Sequence, residues 1–221
     1  MKASERPLYE VAKIRDLRDM LTQSLEKFSE KAAFLSKKNG KYEPISYKQF
    51  GDDVYALGTA LLHRGFGGKR IAVIGENRYE WDVTYMAVVC GVGIIVPMDK
   101  ELPEKEVHQL IETAEVDAIV YAPKNEKVVA NAPVAEKFSM ELDIPALLEE
   151  GRKLLAAGDR SYLDIEIDPE EMRILLFTSG TTSSAKAVML NHRNIAENLM
   201  GMCSMVYIDP SDVFLSVLPI H

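Results

Sequence analysis

Leu17, Met20, Leu21, Leu25 and Phe28 recur every three or four positions, which lays one apolar stripe along a helix and predicts an amphipathic helix over 17–28. Two short runs, 32–36 and 42–45, flank Asn39-Gly40, a pair that tolerates the positive φ of a tight turn, and predict an antiparallel hairpin. Ser46 is placed to cap a helix whose inner face is Tyr47, Phe50, Val54, Leu57 and Leu61, and Gly65 stands where a left-handed terminating residue is expected. The pattern then alternates regularly: strand 70–74, helix 79–92, strand 93–96, helix 103–114, strand 117–121. This alternation predicts an α/β fold, a largely parallel sheet with helices on both faces, plus the small N-terminal β-hairpin. A short helix over 124–131 and a strand over 137–142 extend the series. Trp81, Tyr85, Met86 and Cys90 sit at helical spacing and read as a packed core face.

Beyond residue 142 the pattern changes. Residues 143–171 are rich in acids, among them Glu149, Glu150, Asp164 and Asp168, and read as a solvated helix and connector. Residues 174–177 predict a buried strand, 187–190 a second extended run, and 194–207 a buried helix. Asp209-Pro210-Ser211-Asp212 reads as a turn into a last strand at 213–218. The expected organisation is a first α/β subdomain over 17–142, an acidic connector over 143–171 and a final segment over 172–221.

Composition narrows the possibilities. The 47% hydrophobic content suits a globular core, and the formal net charge of −8 argues against a nucleic-acid partner held by phosphate contacts. The apolar stretch at 86–98 is broken by Gly91, Gly93 and Pro97, so no transmembrane segment is expected. The N-terminus lacks the apolar core of a signal peptide, and Cys90 and Cys203 both fall in apolar helical segments. Buried reduced thiols and a cytoplasmic location are the expectation.

The chemistry concentrates between the two extended runs. Thr178, Ser179, Gly180, Thr181, Thr182 and Ser183 form a small hydroxylated loop that ends at Lys186. Backbone N–H groups and hydroxyls can donate to phosphate oxygens there, while an ammonium offsets their charge. Spacing from Gly180 to Lys186 matches the P-loop pattern G-x-x-x-x-G-K-S/T, but Ala185 replaces its second glycine and Ala187 its Mg²⁺-binding hydroxyl. A P-loop also opens a helix, whereas 187–190 reads as extended. Gly75-Glu76-Asn77, at the carboxyl end of a predicted strand, is either a turn into the next helix or part of a ligand edge.

The loop resembles the signature T-S-G-T-T-G-x-P-K-G-V of AMP-forming acyl-CoA synthetases and their adenylate-forming relatives, with Thr178, Ser179, Gly180, Thr181, Thr182, Lys186 and Val188 in place. Asp168-Pro169, Asn191-His192-Arg193-Asn194, Leu218-Pro219-Ile220-His221, Glu76-Asn77 and the 91–97 segment are similar to the family's corresponding stretches. The resemblance runs from about Leu17 onward and implies an incomplete N-terminal AMP-binding (adenylation) domain over 1–221, with 172–221 as its phosphate-loop segment. It implies a ligase that joins a carboxylic acid, with a fatty acid as the first guess, to AMP from ATP and then to coenzyme A, with Mg²⁺ accompanying ATP. By the same resemblance Thr178, Ser179, Gly180, Thr181, Thr182, Ser183 and Lys186 face the phosphates, and His221 lies beside the acyl and nucleotide pocket. Lys186 and His221 are thus the catalytic candidates; taken alone, a His after Leu-Pro-Ile is unremarkable.

Ser183, Ala185 and Ala187 replace the family's glycine, proline and glycine; each change adds a small side chain or frees a backbone dihedral, which points to a variant loop rather than a dead one. No metal ligand is assigned within the chain, and His63, His108 and His192 read as surface or helix-end residues. The family's adenine- and ribose-binding segments and acidic Mg²⁺ ligand lie downstream, so the expected partner is the remainder of the same polypeptide, and the chain alone is expected to be inactive. The competing reading is a non-catalytic α/β nucleotide- or anion-binding module.

Overall fold

The computed structural model describes residues 8–38, 40–178 and 186–220. In chain order the elements are α1 (Leu17–Phe28), β1 (Ala32–Lys38), β2 (Lys41–Ser46), α2 (Tyr47–His63), β3 (Arg70–Ile74), α3 (Tyr79–Ala87), β4 (Ile94–Met98), α4 (Glu104–Thr113), β5 (Ala118–Tyr121), α5 (Glu126–Ala130), β6 (Glu136–Ser139), α6 (Asp143–Ala156), β7 (Met172–Thr178), β8 (Lys186–Asn191) and α7 (His192–Met205). β1 and β2 form the antiparallel hairpin. The remaining strands form one sheet in the order β6-β5-β3-β4-β7-β8, parallel throughout except for β8, which runs antiparallel to β7 at the edge.

Strand alternation divides the core in two. Ile71 and Val73 of β3 face α1, α2, α3 and α6, whereas Ala72 and Ile74 face α4 and α5 on the other side. After β4 the chain crosses back over β3 to form β5. The strand order therefore reverses at β3 and β4, the kind of switch point where open α/β sheets place ligands at their carboxyl ends.

Local sequence accounts for several boundaries. The Ser46 hydroxyl accepts from the Gln49 N–H at 3.1 Å and caps α2, and Gly65, at φ 83°, takes the left-handed conformation that closes it. Past Ala87 the predicted helix continues only as a π-type turn over Val88–Val92, where the Gly93 N–H reaches the Val88 carbonyl at 3.0 Å.

The acid-rich 143–171 segment is solvated on one side only. Ile144, Leu147 and Gly151 of α6 are buried, and a Cβ on Gly151 would lie 1.8 Å from the Ala56 carbonyl oxygen of α2. Tyr162 is fully buried and donates its hydroxyl to the Ala87 carbonyl at 2.9 Å. Arg18 of α1 covers the Tyr162 ring and donates to the Tyr162 and Ile165 carbonyls, both at 2.8 Å. The charges predicted a solvated helix, but the apolar residues between them fasten the segment to the core.

Two expectations near the C-terminus fail. Only His192 and Ala196 of α7 are buried, and Met202 and Met205 face outward. Residues 213–218 form no strand, and Phe214 and Leu215 are 73% and 81% exposed. Apolar content signals a tendency to be covered, but a ladder needs an adjacent strand, and none pairs with 213–218 among the described residues.

Candidate phosphate-binding site

The β7–β8 hairpin carries the predicted phosphate loop. Its ladder runs from Met172 opposite Asn191 to a last pair, Thr178 opposite Lys186. Ile174 and Leu190 share one face and pack into the α1–α2–α3 core, and Leu176 follows two residues on. By the same alternation Thr178 and Lys186 sit on that face, at the carboxyl end of β7, with exposed side chains. Lys186 makes no ion pair among the described residues. Ser179, Gly180, Thr181, Thr182 and Ser183 lie outside the described residues, as do Ala185 and His221.

The other end of the hairpin brings together stretches that the sequence leaves apart. The Asn191 side chain accepts from the Asn194 N–H at 2.9 Å, and Asn194 returns the bond to the Asn191 N–H at 3.1 Å, a reciprocal cap that starts α7 at the end of β8. Asn191 also donates to the Glu170 carboxylate at 3.1 Å, Glu170 pairs with Arg193, and the Arg193 N–H donates to the Pro169 carbonyl at 3.1 Å. His192 opens α7, the helix-end place read for it, but it is fully buried rather than on the surface. Its Nδ1 accepts from the Leu17 N–H at 3.2 Å and its Nε2 lies 3.1 Å from the Val89 carbonyl, so the neutral Nε2–H tautomer ties α7 to α1 and to the turn after α3. Burial lowers the His192 pKa, favouring that neutral ring.

On the same face of the sheet, Met20, Phe34, Trp81, Asp82, Tyr85 and Leu176 line a cavity of about 440 Å³. Trp81, Met86 and Cys90 are buried as the spacing predicted, and Tyr85 stacks on Trp81 at 5.4 Å. Burial pushes the Cys90 thiol up to about 12, which keeps it protonated and unreactive. Cys203 is only half-buried, not enclosed as expected. Asp82 was not foreseen: burial pushes its carboxyl up to about 6. Its position next to Trp81 gives no sequence signal, because the same acid in a first helical turn reads as ordinary dipole pairing.

No group of three or more His, Cys, Asp or Glu side chains that could hold a metal ion is found among the described residues. The described residues also contain no helix long and apolar enough to cross a membrane.

Residues 21–221 match the sequence profile described as AMP-binding enzyme. The chain belongs to the AMP-binding enzyme family. It is 26% identical to long-chain-fatty-acid–CoA ligase 5 of Rattus norvegicus, over 83% of this chain and 31% of that protein. With long-chain-fatty-acid–CoA ligase 1 of Cavia porcellus it shares 24% identity, over 98% of this chain and 35% of that protein. The chain thus spans about a third of the length of these curated relatives. Among solved structures it resembles a long-chain-fatty-acid–CoA ligase from Archaeoglobus fulgidus, with a TM-score of 0.72 at 19% identity, over 90% of this chain and 40% of that one. The fatty acyl-adenylate ligase from L. pneumophila, solved with acyl adenylate and pyrophosphate, gives a TM-score of 0.71 at 17% identity, over 86% of this chain and 32% of that one. At these identities the structures establish a shared fold for this AMP-binding enzyme.

Proposed function

We propose that this chain is the N-terminal part of an adenylation domain in an AMP-forming ligase that joins a carboxylic acid, of the fatty-acid class, to coenzyme A. The observation that carries the reading is Thr178 opposite Lys186 at the loop end of the β7–β8 hairpin, bracketing the hydroxyl-rich stretch 179–185. The names of the relatives support the substrate class.

In the first step an acid oxygen attacks the α-phosphorus of ATP, a P–O bond breaks, and pyrophosphate leaves with the growing negative charge. The Lys186 ammonium and the Thr178 hydroxyl supply fixed donors at the two ends of the loop, with Ser179, Gly180, Thr181, Thr182 and Ser183 as the donors between them. Such donors lower the barrier because they are oriented before the charge appears. His221 serves on the acyl side, and the thiol of coenzyme A then displaces AMP. Adenine binding, the Mg²⁺ ligand and thiol transfer belong to the remainder of the polypeptide, so this chain alone is inactive. A cytoplasmic setting is part of the same reading, in keeping with two cysteines, Cys90 and Cys203, that form no disulfide.

Acid-dependent ATP–pyrophosphate exchange tests the reading. In the longer protein containing this chain, Lys186→Ala slows exchange by about 10²–10³-fold, the usual loss for one preorganised donor. An unchanged rate removes Lys186 from the phosphate site. The 221-residue chain by itself gives no exchange above background, and clear turnover would overturn the division of labour between this part and the rest.

A further inference from the structure

Gly75-Glu76-Asn77 lies at the switch point of the sheet and has a firm seat. Gly75 is buried, with space for a Cβ closed by Ala122 at 2.5 Å, and the Ala122 N–H donates to the Ile74 carbonyl at 2.9 Å. Two residues past Asn77, Tyr79 opens α3 and donates its hydroxyl to the buried Asp53 carboxylate at 2.8 Å. Asn77 therefore projects from a backbone held on both sides.

What it meets is the segment that forms no strand. The Asn77 amide donates to the Ser216 hydroxyl oxygen at 2.8 Å and to the Leu218 carbonyl at 2.7 Å, so one NH₂ group spends both protons on a segment 139 and 141 residues away. The segment begins at a closed turn, with the Asp212 N–H on the Asp209 carbonyl at 3.0 Å, and Ile220 at its far end lines the cavity beside α3. Between those ends no ladder among the described residues supports it, and Val213, Leu215 and Val217 are 78%, 81% and 71% exposed.

We propose that Asn77 is a positioning residue that pins the extended 213–220 segment, through Ser216 and Leu218, against the carboxyl edge of the sheet. The tether holds Leu218 and the described residues after it, which lead in sequence to the acyl-side candidate His221; this functional half rests on the adenylating reading. Asn77 acts through the segment it fixes and touches no reacting atom.

Backbone order parameters of the ¹⁵N-labelled 221-residue chain test the tether without any substrate. Ser216, Val217 and Leu218 are expected near 0.8 in the wild type and below about 0.6 in Asn77→Ala and in the isosteric Asn77→Asp, which offers Leu218 no donor. Asn77→Gln keeps both donors and is expected to restore part of the order. Two neutral bonds correspond to roughly a tenfold or greater rise in the open population. A mobile wild-type segment, or order unchanged in the Ala and Asp variants, overturns the tether.

In the longer protein, pyrophosphate exchange reads the positioning role. Asn77→Asp is expected to lower kcat about tenfold with the KM for ATP within about twofold, and Asn77→Gln to recover part of kcat. Lost order with kcat unchanged refutes positioning. A wild-type protein with no exchange counts against the ligase reading, while the order parameters still decide the tether.

Discussion

Replacing Asp82 by its isosteric amide should make the folded chain more stable at neutral pH. Asp82 lies in the first turn of α3 on the wall of an apolar cavity, where burial alone pushes its carboxyl from an ordinary 3.8 up to about 6. The folded chain thus holds this proton more tightly than the unfolded chain does. The associated cost is absent below pH 3.8, grows as pH rises through the window to about 6, and is complete above it. A difference of about two pH units at 1.36 kcal/mol each gives an upper figure of about 3 kcal/mol. The positive end of α3 favours the ionised form and offsets about 0.3–1 kcal/mol, leaving roughly 2 kcal/mol. Asp82→Asn should therefore raise the unfolding free energy by about 2 kcal/mol at pH 8, with a gain well under 1 kcal/mol at pH 4. Urea titrations followed by far-ultraviolet circular dichroism measure this, and Trp81, the only tryptophan, reports the same site by fluorescence. A variant no more stable than wild type at pH 8, or a gain that persists undiminished at pH 4, would refute the desolvation reading.

Two further perturbations probe the contacts that hold the site's scaffold. Gly151→Ala forces a methyl group toward the Ala56 carbonyl, where a Cβ has 1.8 Å, and should cost about 1–3 kcal/mol as α6 is pushed off α2; an unchanged melting curve would mean the helices part freely. His192→Ala leaves the Leu17 N–H and the Val89 carbonyl unpaired beside a new void and should cost about 2–4 kcal/mol in the same assay. Because burial lowers the His192 pKa below 6.5, its contribution is complete above 6.5 and declines as pH falls toward the lowered value, the reverse of the Asp82 trend. A His192→Gln variant should lose that acid-side decline, and a slope identical to wild type would exclude His192 as its source.

Periodicity finds what neighbours in sequence decide. The α1 stripe, the Ser46 cap and the alternation from β3 to β5 were legible because each depends on residues within a few positions of one another. It misleads where a distant partner decides. Residues 213–218 have strand composition without a neighbouring strand among the described residues, and His192, which does start α7, reads as a surface residue until α1 and Val89 close around it. The acidic count over 143–171 concealed Tyr162, because a single aromatic residue among charges carries no periodic signal.

The site shows the same division. Sequence supplies the hydroxyls and the lysine, but whether Thr178 and Lys186 can serve one ligand depends on strand register, and a slip of one residue would turn one of them to the opposite face. Ile174 opposite Leu190 fixes that register, since both must reach the core while Met189, one position along, stays 69% exposed. Helical continuation after Lys186, as a P-loop requires, would have no place for this pairing. Extended β8 instead returns along β7 and brings Lys186 back beside Thr178. The apolar pair Ile174–Leu190, near the end of the ladder far from the loop, rather than any residue of the loop, sets where the two predicted phosphate donors stand.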